Sequence, residues 1–221
     1  MQRRILLSGL FLVAGALQAQ EPAPVAGAAP TVTVRMQTAL GAIVFAIESV
    51  RAPLTAANFL RYVDQKRFDH SVFYRAMKVG DTGEAGLVQG GLRGDPRRVL
   101  KPIAHEPTSV TGLSHVSGAI SMARTAPGTA SGDFFIVVGD LLALDAHGAD
   151  AATGQAADPG YAVFGHVVDG MDVVRAILAQ PVSDTAQVAV MKGQMIAQPV
   201  AIVSVRRVAA PCGGSPCNPS Q

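Results

Sequence analysis

Charge is scarce in this chain. Charged residues make up 15% of its 221 positions and the formal net charge is only +2. That balance indicates neither nucleic acid nor an acidic lipid surface as a partner. Arg97-Arg98 and Arg206-Arg207 are isolated pairs that read as solvated. Cysteine is scarcer still: both copies lie in Pro211-Cys212-Gly213-Gly214-Ser215-Pro216-Cys217. No histidine stands near them, and a structural metal needs more donors than two thiols. A catalytic dithiol usually has two intervening residues and a helix behind it, and neither is present. The five histidines show no metal-ligand spacing and read as structural or solvated. The glycines near positions 80–94 lack the strand–helix frame of a phosphate loop. No Ser/His/Asp constellation is suggested and no repeat of fixed period is visible. No metal site is therefore expected.

Beyond the first 20 residues no apolar run is long enough to span a bilayer. The first 20 themselves carry a basic start, Met1-Gln2-Arg3-Arg4, an apolar run over residues 5–17, and small residues at Ala14, Ala16 and Ala19. This is the pattern of a secretory signal peptide, cleaved after Ala16 or Ala19; the run is shorter than the ~20 residues of a spanning helix. No cysteine lies near the cleavage region, so a lipid anchor is not indicated. Residues 21–30 are rich in Pro and Ala and read as a tether. Residues 31–208 are enough for one domain with a sizeable core. Residues 209–221 form a tail in which an exported chain, meeting an oxidising compartment, is expected to join Cys212 to Cys217.

One stretch, residues 117–138, organises the domain. It reads as a short strand over 118–123, a loop of small residues over 124–132, and an apolar strand over 134–138 buried on both faces. A loop this plain is either a surface connection or the wall of a groove that another backbone approaches closely. Around it, residues 31–37 and 42–48 read as a hairpin. Pro53 opens a helix over 53–64 whose inward face is expected to carry Leu54, Ala57, Leu60 (or Phe59) and Val63. Residues 70–75, 87–91, 161–169 and 200–206 read as further strands, and 170–180 as a second helix stopped by Pro181. Residues 78–86 and 140–160 read as polar or small-residue loops. Short strands with two helices far apart in sequence favour an antiparallel closed barrel over a doubly wound sheet.

Several segments then agree with one family. Phe73-Tyr74-Arg75, Gln89-Gly90-Gly91, Ile120-Ser121-Met122-Ala123-Arg124-Thr125, Phe134-Phe135 and Tyr161-Ala162-Val163-Phe164-Gly165 occur in the order and approximate spacing of cyclophilins. Thr55-Ala56-Ala57-Asn58-Phe59 matches the first-helix signature, and residues 165–174 match the strand leading into the second helix. The chain resembles this family over residues 31–207. The resemblance implies a mostly β fold, a closed eight-stranded antiparallel β-barrel capped by two α-helices, with a peptide groove on its outer face. It implies peptidyl-prolyl cis–trans isomerase activity on proline-containing polypeptides, without cofactor or metal. The Ser-Met-Ala-Arg-Thr-Ala form and the signal peptide resemble the periplasmic bacterial branch. They imply a periplasmic monomer, off the membrane once the signal is cleaved, that assists folding of exported proteins.

The chemistry breaks no bond. Amide resonance sets a barrier of ~18–20 kcal/mol, and the catalyst must favour a twisted state in which the prolyl nitrogen regains its lone pair. A guanidinium beside that nitrogen does so without losing its charge, and an apolar pocket for the ring strengthens the interaction. Arg75 matches that donor. Tyr74, Leu87, Gln89, Met122, Ala123, Arg124, Asp133, Phe135, Leu144 and Tyr161 are the expected substrate-binding residues. Among them, Gln89 matches the hydrogen-bond partner of the substrate backbone. Phe135 and Met122 match the pocket lining, Ala123 and Arg124 the groove edge, and Leu144 and Tyr161 the far rim. The chain also departs from the pattern. About six extra residues fall between Arg75 and Gln89. Gly86 and Leu87 stand at an aromatic wall, Asp133 at a common Gln, and Leu142 or Ala143 at a rim aromatic. Asp133 is expected to pair with Arg75 or Arg124, and activity is expected to be weaker than in a typical member. Two other readings stay open: a non-catalytic proline-segment binder or chaperone on the same scaffold, and a lipocalin-like carrier, which predicts a hollow barrel.

Overall fold

The computed structural model describes residues 29–80, 83–184 and 189–208. The expected signal peptide, most of the tether, and Cys212 with Cys217 lie outside the described residues. Among the described residues there are nine strands: β1 (Val32–Thr38), β2 (Gly41–Ile47), β3 (Ser71–Val79), β4 (Ala85–Gly91), β5 (Ala119–Met122), β6 (Asp133–Val138), β7 (Ala162–Asp169), β8 (Val182–Ser183) and β9 (Met195–Arg207). They pair in the order β1-β2-β7-β5-β6-β4-β3-β9, and β9 returns to β1, so eight strands close a barrel. Every pairing is antiparallel. The ninth, β8, pairs only with the start of β9.

Period-two alternation decides what points inward. Val34 and Met36 of β1, Ile43, Phe45 and Ile47 of β2, and Phe134 and Ile136 of β6 are all fully buried in one interior cluster. Rings fill the centre: Phe134 meets Phe59, Phe68 and Phe73 edge-on at 5.8, 5.4 and 5.8 Å. The barrel is solid, as its large apolar strand residues require, whereas a carrier needs a hollow one. The other face of β6 is also covered. Phe135 and Val137 join Leu87, Ala119 and Val163 in a second, outer cluster.

The helices are α1 (Pro53–Asp64), a single turn α2 (Thr108–Thr111) that the sequence pattern does not announce, and α3 (Met171–Leu178). Helix α1 packs against β7 and β9, and α3 against β2, β3 and β4. The second half of the expected inward face of α1 is buried, but its first turn is rotated outward. Leu54 is 53% exposed and Ala57 is exposed, while Thr55, Ala56, Phe59, Leu60, Tyr62 and Val63 are buried. The rings of Phe59 and Tyr62 claim the core, and a distant carboxylate claims the first turn. No side chain of the Ala52 cap position bonds the helix. Instead the buried Glu106 accepts the N–H groups of Leu54 (3.1 Å) and Thr55 (2.6 Å), together with the Thr55 hydroxyl. A carboxylate there satisfies orphan donors and complements the helix dipole.

The extra residues after Arg75 lengthen the β3–β4 hairpin, with Lys78 opposite Gly86 and Val79 opposite Ala85. Gly86 holds φ at +153°, and a Cβ there would lie 2.0 Å from the Met77 carbonyl oxygen. A Gly86→Ala variant is expected to lose about 3 kcal/mol, from backbone strain and overpacking together. Denaturant unfolding of the two proteins measures it.

Candidate active site

Strand register places the site residues side by side. Arg75 pairs with Gln89 across β3–β4, Gln89 with Phe135 across β4–β6, and Phe135 with Ser121 across β5–β6. The row runs across the outer face of the barrel. It borders a cavity of about 480 Å³, open to solvent on one side, whose walls include Arg75, Leu87, Gln89, Ala123, Arg124, Asp133, Phe135, Leu144 and Tyr161. The loop of residues 124–132 supplies one wall through Thr125, Thr129 and Ser131. It is held from behind by Asn58 of α1, whose Nδ2–H donates to the Ser131 carbonyl at 2.7 Å.

Arg75 is half-buried, and its guanidinium is bonded along two edges. Nη1–H donates to Gln89 Oε1 at 2.9 Å, while Nε–H and Nη2–H donate to Gln194 Oε1 at 2.9 and 2.6 Å. Among the described residues no carboxylate forms an ion pair with it. Burial lowers its pKa, yet a guanidinium stays charged at any physiological pH. The result is a fixed cation at the edge of an apolar wall, paired with no carboxylate among the described residues.

Gln89 has no freedom in which end it presents. Arginine only donates, so Oε1 faces Arg75 and Nε2 faces the Tyr74 hydroxyl, to which it donates at 2.7 Å. Tyr74 is 6% exposed and stands behind the cavity wall, under the guanidinium of Arg93 at 5.3 Å. Burial pushes its phenol pKa upward, so it stays protonated. Asp133 pairs with neither Arg75 nor Arg124, contrary to expectation. Its Oδ1 accepts the Arg93 N–H at 2.9 Å, and its carboxyl lies close enough to the Tyr74 phenol for the two to influence each other's pKa. Burial raises its pKa against the backbone hydrogen bonds it accepts. Asp133 thus pins the turn after β4 and forms no ion pair with Arg75 or Arg124.

Arg124 folds onto the rim. Its Cζ lies 4.6 Å from the Tyr161 ring centre, it bonds the Gly160 carbonyl, and Asp158 stands 3.9 Å away. Tyr161 meets Phe135 edge-on at 5.4 Å. Leu144 ends a 3₁₀ turn (Leu142–Leu144), and its carbonyl accepts the Tyr161 N–H at 2.9 Å. Met122 is placed differently from the other expected lining residues: it is 2% exposed and points into the barrel core. Strand β5 puts Ser121 on the groove side, so its neighbour Met122 must face inward.

Behind the aromatic wall lies a buried constellation that the sequence pattern does not suggest. His115 and Ser121 are wholly buried. The His115 Nδ1 lies 2.6 Å from Asp145 Oδ1 and Nε2 lies 3.0 Å from Ser121 Oγ. A carboxylate only accepts, so Nδ1 carries the proton and Nε2 accepts from Ser121. The ring stacks on Phe135 at 5.8 Å. This is Ser/His/Asp connectivity, but with the hydroxyl sealed from solvent it braces the wall rather than attacking a substrate. Burial lowers the His115 pKa although Asp145 opposes it. The unfolded chain therefore binds a proton, near pH 6.5, that the folded chain refuses. Stability is expected to fall as pH drops below about 6.5, with a slope of at most about 1.4 kcal/mol per pH unit. Denaturant unfolding of wild type and His115→Gln across pH 5–8 measures this; the variant is expected to show a flatter profile.

Comparison with known proteins agrees with this geometry. Residues 33–207 match the family described as "Cyclophilin type peptidyl-prolyl cis-trans isomerase/CLD". The chain is 33% identical over 206 residues to a peptidyl-prolyl cis-trans isomerase of Acinetobacter baylyi, covering 91% of this chain and 93% of that protein. It is 35% identical over 145 residues to peptidyl-prolyl cis-trans isomerase B of Escherichia coli, covering 65% of this chain and 82% of that protein. A crystal structure of a Cryptosporidium parvum cyclophilin type peptidyl-prolyl cis-trans isomerase shares the fold, with a TM-score of 0.63 at 21% identity, over 82% of this chain and 99% of that one. The same protein in the presence of the dipeptide Ala-Pro gives a TM-score of 0.61. With the family matched over nearly all of the barrel, this chain belongs to the cyclophilin-type peptidyl-prolyl cis–trans isomerases.

Proposed function

We infer that the protein isomerises X–Pro bonds of exported polypeptides in the groove beside Arg75, as a periplasmic monomer. The observation that carries the reading is the Arg75 guanidinium: held on two edges by neutral amides, unpaired with any described carboxylate, and next to the apolar wall of Leu87, Phe135 and Leu144. A proline ring against that wall would bring its nitrogen within reach of the cation. As the peptide bond twists, the nitrogen lone pair becomes an acceptor, and a guanidinium donor binds that state better than the planar one. Gln89 would hold the substrate backbone, with Ala123 and Arg124 forming the groove edge. No proton is transferred and no covalent bond changes.

Among the described residues, only Phe135 and Tyr161 supply rings to the cavity wall. Less aromatic surface on the ring means weaker contact with the twisted state, so turnover is proposed to be lower than for an aromatic-lined groove. The competing reading, a proline-segment binder, shares the groove but not the rate. Residues 1–20 support export, and cell fractionation tests it: full-length protein is expected in the periplasm with its N-terminus near residue 17 or 20, whereas protein lacking residues 1–20 stays inside. Proline-peptide turnover together with calorimetric binding tests the activity, and binding without turnover would favour the binder.

A further inference from the structure

Another wall of the cavity comes from a part of the chain that carries no motif. A 3₁₀ turn, Ala189–Met191, leads through Lys192 and Gly193 to Gln194 and then into β9. Val190 and Met191 border the same cavity as Arg75 and Phe135. Val190 is 72% exposed, a large apolar side chain with no place in either hydrophobic cluster. Gln194 ties this wall to the site in three ways. Its backbone carbonyl accepts the Ala76 N–H of β3 at 2.8 Å. Its Nε2–H donates to the Val190 carbonyl at 3.2 Å. Its Oε1 accepts from both Nε and Nη2 of Arg75.

We propose that Gln194 is a positioning residue for Arg75, and that Val190 and Met191 select substrates with a large apolar side chain flanking the proline. The inference rests on the isomerase reading above. A single carbonyl oxygen bridging Nε and Nη2 fixes the plane of the guanidinium, while Gln89 fixes its far end. Because both acceptors are neutral amides, the geometry is held without cancelling the charge that the twisted peptide bond needs. A carboxylate in place of Gln194 would hold the same hydrogen atoms and remove that advantage. The apolar pair lies on the same short turn, so an apolar side chain packing against it would be seated as the clamp is made.

The test uses the mature protein, thermal unfolding to confirm that each variant is folded, and a panel of proline peptides varied at the residue before or after proline. Gln194→Glu and Gln194→Met are each expected to lower kcat about tenfold, with KM changing less than threefold. The Arg75 Nε–H resonance, distinct in the wild type, is expected to collapse toward exchange-averaged arginine signals in Gln194→Met only. Gln194→Met at wild-type kcat overturns the positioning claim, and Gln194→Glu at wild-type kcat overturns the claim that the acceptor must be neutral. Wild type is expected to prefer Leu or Phe over Asp or Lys at one flank about tenfold in kcat/KM, and a Val190→Ser/Met191→Ser variant to flatten this below threefold. A wild type indifferent at both flanks, or a preference that survives in the double variant, overturns the specificity claim. Absence of turnover with every peptide would instead remove the isomerase reading itself.

Discussion

An Arg75→Ala variant is expected to lose on the order of 10²–10³-fold in kcat/KM for a proline peptide, the size of effect seen when one electrostatic donor of a transition state is removed. Most of the loss should appear in kcat, because the guanidinium is required most by the twisted peptide bond. The substitution is expected to leave the fold intact: Arg75 borders the cavity on the outer face and belongs to neither apolar cluster. Arg75→Lys tests the geometry separately. An ammonium keeps the charge, but it lacks the planar fork that meets Gln89 on one edge and Gln194 on the other. It is expected to recover less than a tenth of the wild-type rate. A coupled turnover assay of the three proteins, with circular dichroism as the folding control, measures both effects.

The second large effect is on stability. Phe134 is wholly buried and is met edge-on by Phe59 from α1, by Phe73 from β3, and by Phe68 from the connection between them. Phe134→Ala removes contacts with all three and leaves a cavity the rigid barrel cannot close. The expected cost is about 3–5 kcal/mol, read as a lower denaturant midpoint at unchanged slope. By contrast Phe135→Ala, one residue along on the groove face, is expected to cost less stability and more activity. The contrast follows from strand alternation alone: adjacent phenylalanines serve opposite faces of β6.

Much of this fold could be read from the chain because strand alternation is a local signal. The β1–β2 hairpin, β6 and the Pro53 start of α1 fall where composition places them. What was not legible depends on contacts between distant residues. The face of α1 is set by Glu106, about 50 residues away, which draws Thr55 inward. The first part of β9 and its partner β8 were missed because Ala197, Gln198 and Pro199 are exposed and interrupt the apolar pattern. Arg75 and Gln89 were marked by motif, but Gln194 lies 119 residues from Arg75 and carries no signature. The partners of Asp133 were misjudged for the same reason. Sequence supplies two nearby arginines as candidates, whereas the fold supplies the backbone of the turn after β4 and a buried phenol. His115 and Asp145, 30 residues apart, meet only because the 140–160 segment folds back over the aromatic wall.

The central claim is that this groove catalyses rotation about X–Pro bonds and that Arg75 is the group responsible. Two-dimensional exchange NMR of a short proline peptide with resolved cis and trans resonances tests it most directly. Uncatalysed exchange takes tens to hundreds of seconds, so the peptide alone gives no cross-peaks at sub-second mixing times. With a catalytic amount of wild-type protein, cis–trans cross-peaks are expected, together with peptide-induced shifts at Gln89, Phe135 and Tyr161. With Arg75→Ala the shifts are expected to persist while the cross-peaks vanish. Wild-type protein that produces no cross-peaks, or an Arg75→Ala variant that produces them undiminished, would contradict the account.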